Sequence, residues 1–152
     1  MPFDRMLAEL FRDEDRARDM ASRLMELAQA TPDEAIKERA ELVEFVRGPM
    51  ERHMSYEERA VFPHLDGHGL TEEVHVAEKQ HAAIRQAADR LAAAPDEAVP
   101  EIILDVARLL LHHTNFECDY IYPELTHEEW IELMKQTAQE GAEPATASRQ
   151  GQ

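Results

Sequence analysis

One eleven-residue motif occurs twice in the chain, and this repeat constrains the fold more than any other feature. The first copy runs from His53 to Pro63, and the second runs from His113 to Pro123, sixty residues later. Both copies read His-x3-Glu-x4-aromatic-Pro. Residues four apart lie on one face of a helix, so each copy presents an imidazole and a carboxylate together. Two such helices facing each other would bring two histidines and two glutamates to one point, which is the ligand chemistry of a metal pair.

The aromatic residue and the proline at the end of the motif carry most of its specificity. The His-x3-Glu spacing alone is weak evidence, because the chain is rich in glutamate. A third pair with this spacing, His68 and Glu72, straddles Gly67 and Gly69, and these glycines predict a turn rather than a shared helical face. The aromatic residue and the proline recur in both copies, which argues against a chance duplication.

Composition excludes several classes of protein. A chain of 152 residues fits one domain with a buried core. Its 32 acidic and 16 basic residues give a net charge of −16, which argues against a nucleic-acid partner. Cys118 is the only cysteine, so an internal disulfide is excluded and a reducing compartment is indicated. Neither a run of about eighteen apolar residues nor a leader peptide is visible, so we expect a cytoplasmic protein without a membrane partner.

Strong helix formers and apolar residues at 3/4 spacing predict an all-α protein. Short connections make neighbouring helices antiparallel, so we expect an up-down-up-down antiparallel four-helix bundle with a short extra C-terminal helix. The bundle domain is predicted to cover residues 1–140, and the tail at 141–152 is predicted to be disordered. The predicted helices 1 to 5 span roughly residues 3–30, 32–65, 72–94, 97–122 and 127–140.

Local signals support these boundaries. Thr31, Thr71 and Thr126 are predicted N-caps, and Thr126 with Glu129 forms a capping box. The pair Gly48-Pro49 predicts a kink within helix 2. The fifth helix is expected to pack back on the bundle through two apolar residues, Trp130 and Leu133.

The repeated histidines and glutamates fall inside apolar stripes of their helices. A polar group in such a stripe is costly unless it is paired or bound to a metal. The stripe of helix 2 contains Val43, Val46, Met50, His53, Glu57 and Ala60, and that of helix 4 contains Ile103, Val106, Leu110, His113, Glu117 and Tyr120.

The other two helices each place one candidate ligand in the same kind of stripe. His81 lies among the apolar residues of helix 3, and Glu14 holds the matching position on helix 1. At about 100° per residue, Glu14 lies about 50° from the centre of the helix 1 stripe, whereas Asp15 points roughly 150° away. Asp13 is about as far from the centre as Glu14, on the other side. We therefore prefer Glu14, with Asp13 and Asp15 as alternatives.

These residues resemble the pattern of the hemerythrin-like, or HHE cation-binding, family. That pattern has a histidine on helix 1, His-x3-Glu on helix 2, a histidine on helix 3 and His-x3-Glu on helix 4. The resemblance covers roughly residues 3–125 and departs at helix 1, where Glu14 stands in place of the histidine. It implies two non-haem iron ions bridged by two glutamates and by an oxo or hydroxo group. The metal ligands would then be Glu14, His53, Glu57, His81, His113 and Glu117.

In this arrangement His53 and His113 are terminal ligands, one for each metal, while Glu57 and Glu117 bridge. His81 caps one iron and Glu14 caps the other. Imidazole and carboxylate ligands suit iron or manganese and also accept zinc. Six ligands, two of them bridging, leave open coordination positions for small-molecule chemistry.

The family resemblance leaves three functions open. The first is a binding protein that carries or senses dioxygen, nitric oxide or peroxide, with no protein partner identified. The second is a ferritin-like enzyme that oxidises iron or consumes peroxide. Ferritin-like sites use Glu-x-x-His on two helices, and Glu78 with His81 gives only one well-placed copy. The third is a structural helical interaction module.

Several other polar residues lie outside the predicted ligand set. Tyr120 lies one turn from Glu117 on the predicted stripe, where it either hydrogen-bonds a metal ligand or serves as a core tyrosine. Cys118 points off that face, so we interpret it as structural. Surface or turn positions are expected for the remaining histidines, which are His64, His68, His75, His112 and His127.

Overall fold

The computed structural model describes the backbone of residues 3–140 and the side chains of residues 11–126, 128–133 and 135. Within these residues the chain is helical and contains no strand, so the predicted all-α class is confirmed. The α-helices are α1 (Phe3–Ala30), α2 (Pro32–Ile36), α3 (Arg39–Phe45), α4 (Glu51–Tyr56), α5 (Phe62–Asp66), α6 (Thr71–Ala93), α7 (Val99–Phe116) and α8 (His127–Glu140). The predicted tail at 141–152 lies outside the described residues, and the domain boundary at 140 stays a prediction.

Wide turns of π-helix interrupt the long predicted helices. In the described part of the chain they span Val46–Met50, Glu57–Val61 and Glu117–Ile121. Each contains or closely precedes a proline, namely Pro49, Pro63 or Pro123. Proline has no amide hydrogen to donate, and its ring crowds the carbonyl four residues earlier, so widening the turn relieves the clash. The kink predicted at Gly48-Pro49 therefore coincides with a π turn, although the bend itself stays a prediction.

The second and third π turns occupy matching places in the repeat. The amide of Phe62 donates to the carbonyl of Glu57, and the amide of Tyr122 donates to the carbonyl of Glu117. These bonds join residues five apart, as a π turn requires. In both copies the aromatic residue therefore lies on the same face of the helix as the glutamate.

Two apolar clusters form the core. The larger includes Leu24, Met50, Met54, Ile84 and Leu110. The smaller lies toward the proline end of the repeats and includes Val61, Phe62, Ile121, Trp130 and Leu133. Helix α7 packs against α1 and α6, and α3 packs against α6. The up-down-up-down order of a four-helix bundle stays a prediction.

The C-terminal helix α8 begins with the predicted capping box. The Thr126 amide donates to Glu129 Oε1 at 3.2 Å, and the Glu129 amide donates to Thr126 Oγ1 at 3.1 Å. Trp130 is buried, and its ring lies 5.9 Å from that of Tyr122, edge to face. This helix therefore covers the smaller apolar cluster.

Thr31 occupies the predicted N-cap position of α2 without a capping bond from its side chain, whereas the prediction for Thr71 is wrong. The hydroxyl of Thr31 donates to the Leu27 carbonyl at 3.4 Å, so it serves the end of α1 rather than the start of α2. Thr71 is the first residue of α6, and Leu70 occupies the N-cap position.

Between residues 3 and 140, no helix combines the length and apolar character that crossing a bilayer requires.

Candidate metal centre

A layer of buried polar side chains separates the two apolar clusters. Between Met50 of the larger cluster and Val61 of the smaller it includes His53 and Glu57, and between Leu110 and Ile121 it includes His113 and Glu117. This layer contains all six residues singled out from the sequence, and each is at most 3 % exposed. They are Glu14, His53, Glu57, His81, His113 and Glu117.

The six side chains form two overlapping groups of possible ligand atoms. Glu57, His81, His113 and Glu117 bring one ligand atom each within 4.8 Å of one another. Glu14, His53 and Glu117 do the same. Glu117 belongs to both groups, so its carboxylate lies between them.

The two glutamates of the repeat each face both groups. Oε2 of Glu57 lies 3.5 Å from Nε2 of His53, while its Oε1 lies 3.3 Å from Nε2 of His81. Oε1 of Glu117 lies 3.3 Å from Nε2 of His113 and 3.8 Å from Nε2 of His53. Its Oε2 lies 3.7 Å from Nε2 of His81. Two carboxylates in these positions can each hold two cations side by side.

The outer nitrogen of each inward histidine is held by a neighbouring helix. Nδ1 of His53 pairs with Asp13 Oδ2 at 3.3 Å, on α1. Nδ1 of His81 lies 2.7 Å from Glu58 Oε2, and Nδ1 of His113 lies 2.8 Å from Gln80 Oε1. Such outer hydrogen bonds fix the ring and the tautomer, leaving Nε2 directed at the polar layer.

The carboxylate behind His81 is itself fixed. Arg85 donates to both oxygens of Glu58, at 2.8 and 3.1 Å. The same guanidinium donates to both oxygens of Glu51, at 2.8 and 2.9 Å. His81 also stacks on the ring of Phe62, with 5.2 Å between the ring centroids. Packing on one side and a charged hydrogen-bond chain on the other leave this imidazole little freedom to turn.

Several buried ligand-type atoms have no hydrogen-bond partner within the protein. Oε1 of Glu14 lies 3.0 Å from Nε2 of His53 without hydrogen-bond geometry. Unpartnered buried polar atoms are costly, and they are rare in native proteins. Cations held by the two groups would satisfy all of them. The atoms are both carboxylate oxygens of Glu14, Oε1 of Glu57, Oε2 of Glu117, and Nε2 of His81 and His113.

The polar layer raises the pKa of three of its members. Burial raises the pKa of Glu14 from 4.5 to about 8. Burial would lower the pKa of His81, yet the nearby carboxylates of Glu117 and Glu57 raise it from 6.5 to about 10. Burial likewise opposes the effect of Glu57 and Asp13 on His53, whose pKa still rises well above 6.5. The carboxylates therefore hold positive charge at this point, as protons when no metal is bound.

The structure separates Glu14 from its two neighbours. Glu14 is 1 % exposed and lies in the polar layer, whereas the side chain of Asp15 is 74 % exposed and pairs with Arg18. Asp13 meets the outer nitrogen of His53 rather than the interior. Glu78, the residue that a ferritin-like motif would use, is exposed on α6.

Tyr122 reaches the centre, although the sequence analysis gave it no role there. Its hydroxyl lies 2.8 Å from Nε2 of His53 and donates to Glu57 Oε2 at 2.9 Å. Tyr120, which ordinary helical spacing placed on this face, is instead 57 % exposed, so that prediction is wrong. The π turn after Glu117 moves the inward position from the third residue to the fifth. The recurrence of an aromatic five residues after each glutamate was the available signal.

Comparison with known families agrees with this geometry. The hemerythrin HHE cation binding domain matches residues 5–125, which is most of the chain. The chain belongs to this family. The match contains all six residues of the polar layer and ends before α8, so α8 lies outside the hemerythrin region. No curated protein and no solved structure matches the chain. As a hemerythrin HHE domain it binds a cation, and its buried histidines and glutamates are a group that could hold one.

Proposed function

We propose that the chain binds two non-haem iron ions, side by side, in the polar layer between its apolar clusters. The observation that carries the proposal is the sharing of Glu117 by two groups of ligand atoms, with Glu57 facing both. One group would take Glu57, His81, His113 and Glu117. The other would take Glu14, His53 and the two shared carboxylates.

The donor set fits such a pair. Three imidazoles and three carboxylates combine borderline and hard ligands, which suits iron and would also accept manganese or zinc. The unpartnered oxygens of Glu14 and the unpartnered Nε2 atoms of His81 and His113 are the expected state of ligands without their cation. A structural helical module without metal would leave these polar atoms buried with nothing to replace their lost hydration. We therefore favour metal binding over that alternative.

The protein's own groups would orient the site and keep it dry. Asp13, Glu58 and Gln80 fix the three imidazoles through their outer nitrogens. The apolar clusters on both sides, with Trp130 over one of them, exclude bulk water. Burial, together with Glu117 and Glu57, raises the pKa of Tyr122 well above 10, so its hydroxyl keeps its proton and can donate it in a hydrogen bond.

Held by these residues, an iron pair would supply electrons for binding or reducing dioxygen, nitric oxide or peroxide. Glu14 is anionic when it is a ligand, where the family pattern has a neutral histidine. An anionic ligand stabilises the higher oxidation state, so we propose easier oxidation and less reversible dioxygen binding than in a relative with that histidine. This favours redox or iron handling, including peroxide-consuming or iron-oxidising enzyme activity, over dioxygen carriage.

The proposal is tested by anaerobic loading with Fe(II), metal counting and visible spectra before and after air or peroxide is added. Two irons per chain and a ferric charge-transfer band on oxidation are expected. His113→Gln should lower the iron count, while His112→Gln, at the exposed neighbouring position, should not. A correctly folded chain that retains no iron would refute the metal centre. Rapid loss of peroxide would identify the enzyme among the alternatives.

A further inference from the structure

A second group of ligand-type side chains lies at the junction of α5, the following turn and α8. His64 lies in α5, His68 lies in the turn after it, and Glu129 lies in the first turn of α8. Each offers one ligand atom, and these atoms lie within 4.8 Å of one another. None of the three belongs to the polar layer of the buried centre.

Local contacts already orient the three side chains toward one another. The two imidazole rings lie 4.4 Å apart, and Nδ1 of His68 donates to the His64 carbonyl at 2.8 Å. This bond leaves Nε2 of His68 free, as a histidine ligand needs. Glu129 uses Oε1 to cap α8 through the Thr126 amide, while its Oε2 meets Nε2 of His64.

We propose that His64, His68 and Glu129 form a surface site for a divalent transition metal of the zinc or copper type. Two imidazoles and one carboxylate are common ligands for these ions, and water can complete the coordination. His68 is exposed and the other two are half-buried, so a hydrated ion can reach the site from solvent.

The site joins the hemerythrin region to a helix outside it. His64 and His68 lie within residues 5–125, whereas Glu129 belongs to α8. An ion bound here would hold α8 against the end of α5, the side on which Trp130 covers the smaller apolar cluster. Metal binding stabilises the state that contains the complete site, so bound zinc should stabilise the docked position of α8. This inference does not depend on whether the buried centre holds iron.

Zinc titration of the full chain, with metal counting after removal of free ion, tests the site. His68→Gln should bind one zinc ion fewer per chain than the wild type, whatever the buried centre takes up. Glu129→Gln should lose the same ion, and its amide oxygen can still accept the Thr126 amide and keep the cap. His75→Gln, at an exposed position of α6, is the matched control and should bind as much zinc as the wild type.

Labelling of histidines with diethyl pyrocarbonate locates the ion independently. Zinc should protect His64 and His68 from modification, while exposed His75 and His112 stay reactive. If His68→Gln and Glu129→Gln bind as much zinc as the wild type, or if zinc protects neither His64 nor His68, the site does not exist.

Discussion

The hydroxyl of Tyr122 lies 2.8 Å from Nε2 of His53 and 2.9 Å from Oε2 of Glu57, to which it donates a hydrogen bond. A phenol thus contacts one proposed terminal ligand and one proposed bridging ligand in the same buried layer. Because Oε1 of Glu117 is also 3.5 Å away, this hydroxyl touches both carboxylates of the repeat. It is a neutral proton donor within the polar layer of the proposed iron pair.

Tyr122→Phe should fold and load iron but oxidise it at a different rate. Removing a hydrogen bond to a charged group changes energies by about 1.5–3 kcal/mol, which corresponds to roughly a tenfold to hundredfold change in rate. Stopped-flow absorbance after mixing the Fe(II)-loaded chain with air measures this rate. Tyr120→Phe, on the exposed side of the same segment, is the control. Equal oxidation rates in wild type and Tyr122→Phe would show that the Tyr122 hydroxyl has no role in the oxidation.

Stability of the metal-free chain should fall as the pH rises from about 5 to about 10. Glu14 has its pKa raised from 4.5 to about 8, and His81 has its pKa raised from 6.5 to about 10. The folded chain therefore holds both protons more tightly than the unfolded chain does. The resulting stabilisation is complete below the unfolded pKa and is lost as the pH passes through the folded pKa.

Each pKa unit corresponds to about 1.4 kcal/mol, so the total loss should be on the order of several kcal/mol. Urea unfolding at a series of pH values measures it. Metal replaces these protons, so the loaded protein should not show the loss, and loading should weaken as the pH falls. Metal-free stability that increases steadily over the same range would contradict the protonation states inferred for the polar layer.

Glu14→His should slow air oxidation of the iron-loaded chain and raise its reduction potential. The substitution replaces an anionic ligand by a neutral one, which favours the reduced metal. Potentiometric titration and the autoxidation rate measure the effect. Asp15→His places the same residue at the neighbouring exposed position and should change neither quantity. If Glu14→His leaves both quantities unchanged, Glu14 is not a ligand.

Gln80→Leu should weaken metal retention about 10- to 100-fold, the usual cost of losing an outer partner of a histidine ligand. Gln80 accepts the hydrogen bond from Nδ1 of His113, and leucine has a similar volume without the amide oxygen. Competition with a chelator measures retention. Glu78→Leu, at an exposed position two residues earlier, should retain metal as the wild type does. Equal loss in both variants would point to a general effect on α6.

Much of the candidate metal centre could be predicted from the sequence, because the spacing of its residues follows regular α-helix. His53 with Glu57, and His113 with Glu117, are four residues apart, so ordinary helical periodicity brings each pair to one face. His81 was recognisable because a polar residue interrupts an otherwise apolar stripe. In each case the relevant geometry lies within a single helix.

Contacts between helices and departures from regular helix were not readable in this way. The outer partners Asp13, Glu58 and Gln80 depend on how each helix is rotated against its neighbour, which periodicity does not specify. The misplacement of Tyr120 arose because ordinary spacing was extended through a π turn. The proline after each aromatic residue was the visible sign that the spacing changes there.

A π turn holds one residue more than the α-helical turn that it replaces. Each later residue therefore lies about 100° behind the position that it would have in an uninterrupted α-helix. The five-residue spacing from each glutamate to its aromatic residue therefore matches a π turn, as a four-residue spacing would match regular α-helix. Deleting Ala60 or Asp119 would leave the upstream histidine and glutamate in place. The aromatic residue would then lie four residues after the glutamate, so closing the π turn to regular α-helix keeps Phe62 on the face of Glu57 and Tyr122 on the face of Glu117. A chain of unchanged length that closed the same turn would instead rotate the aromatic residue away from its histidine by about 100°.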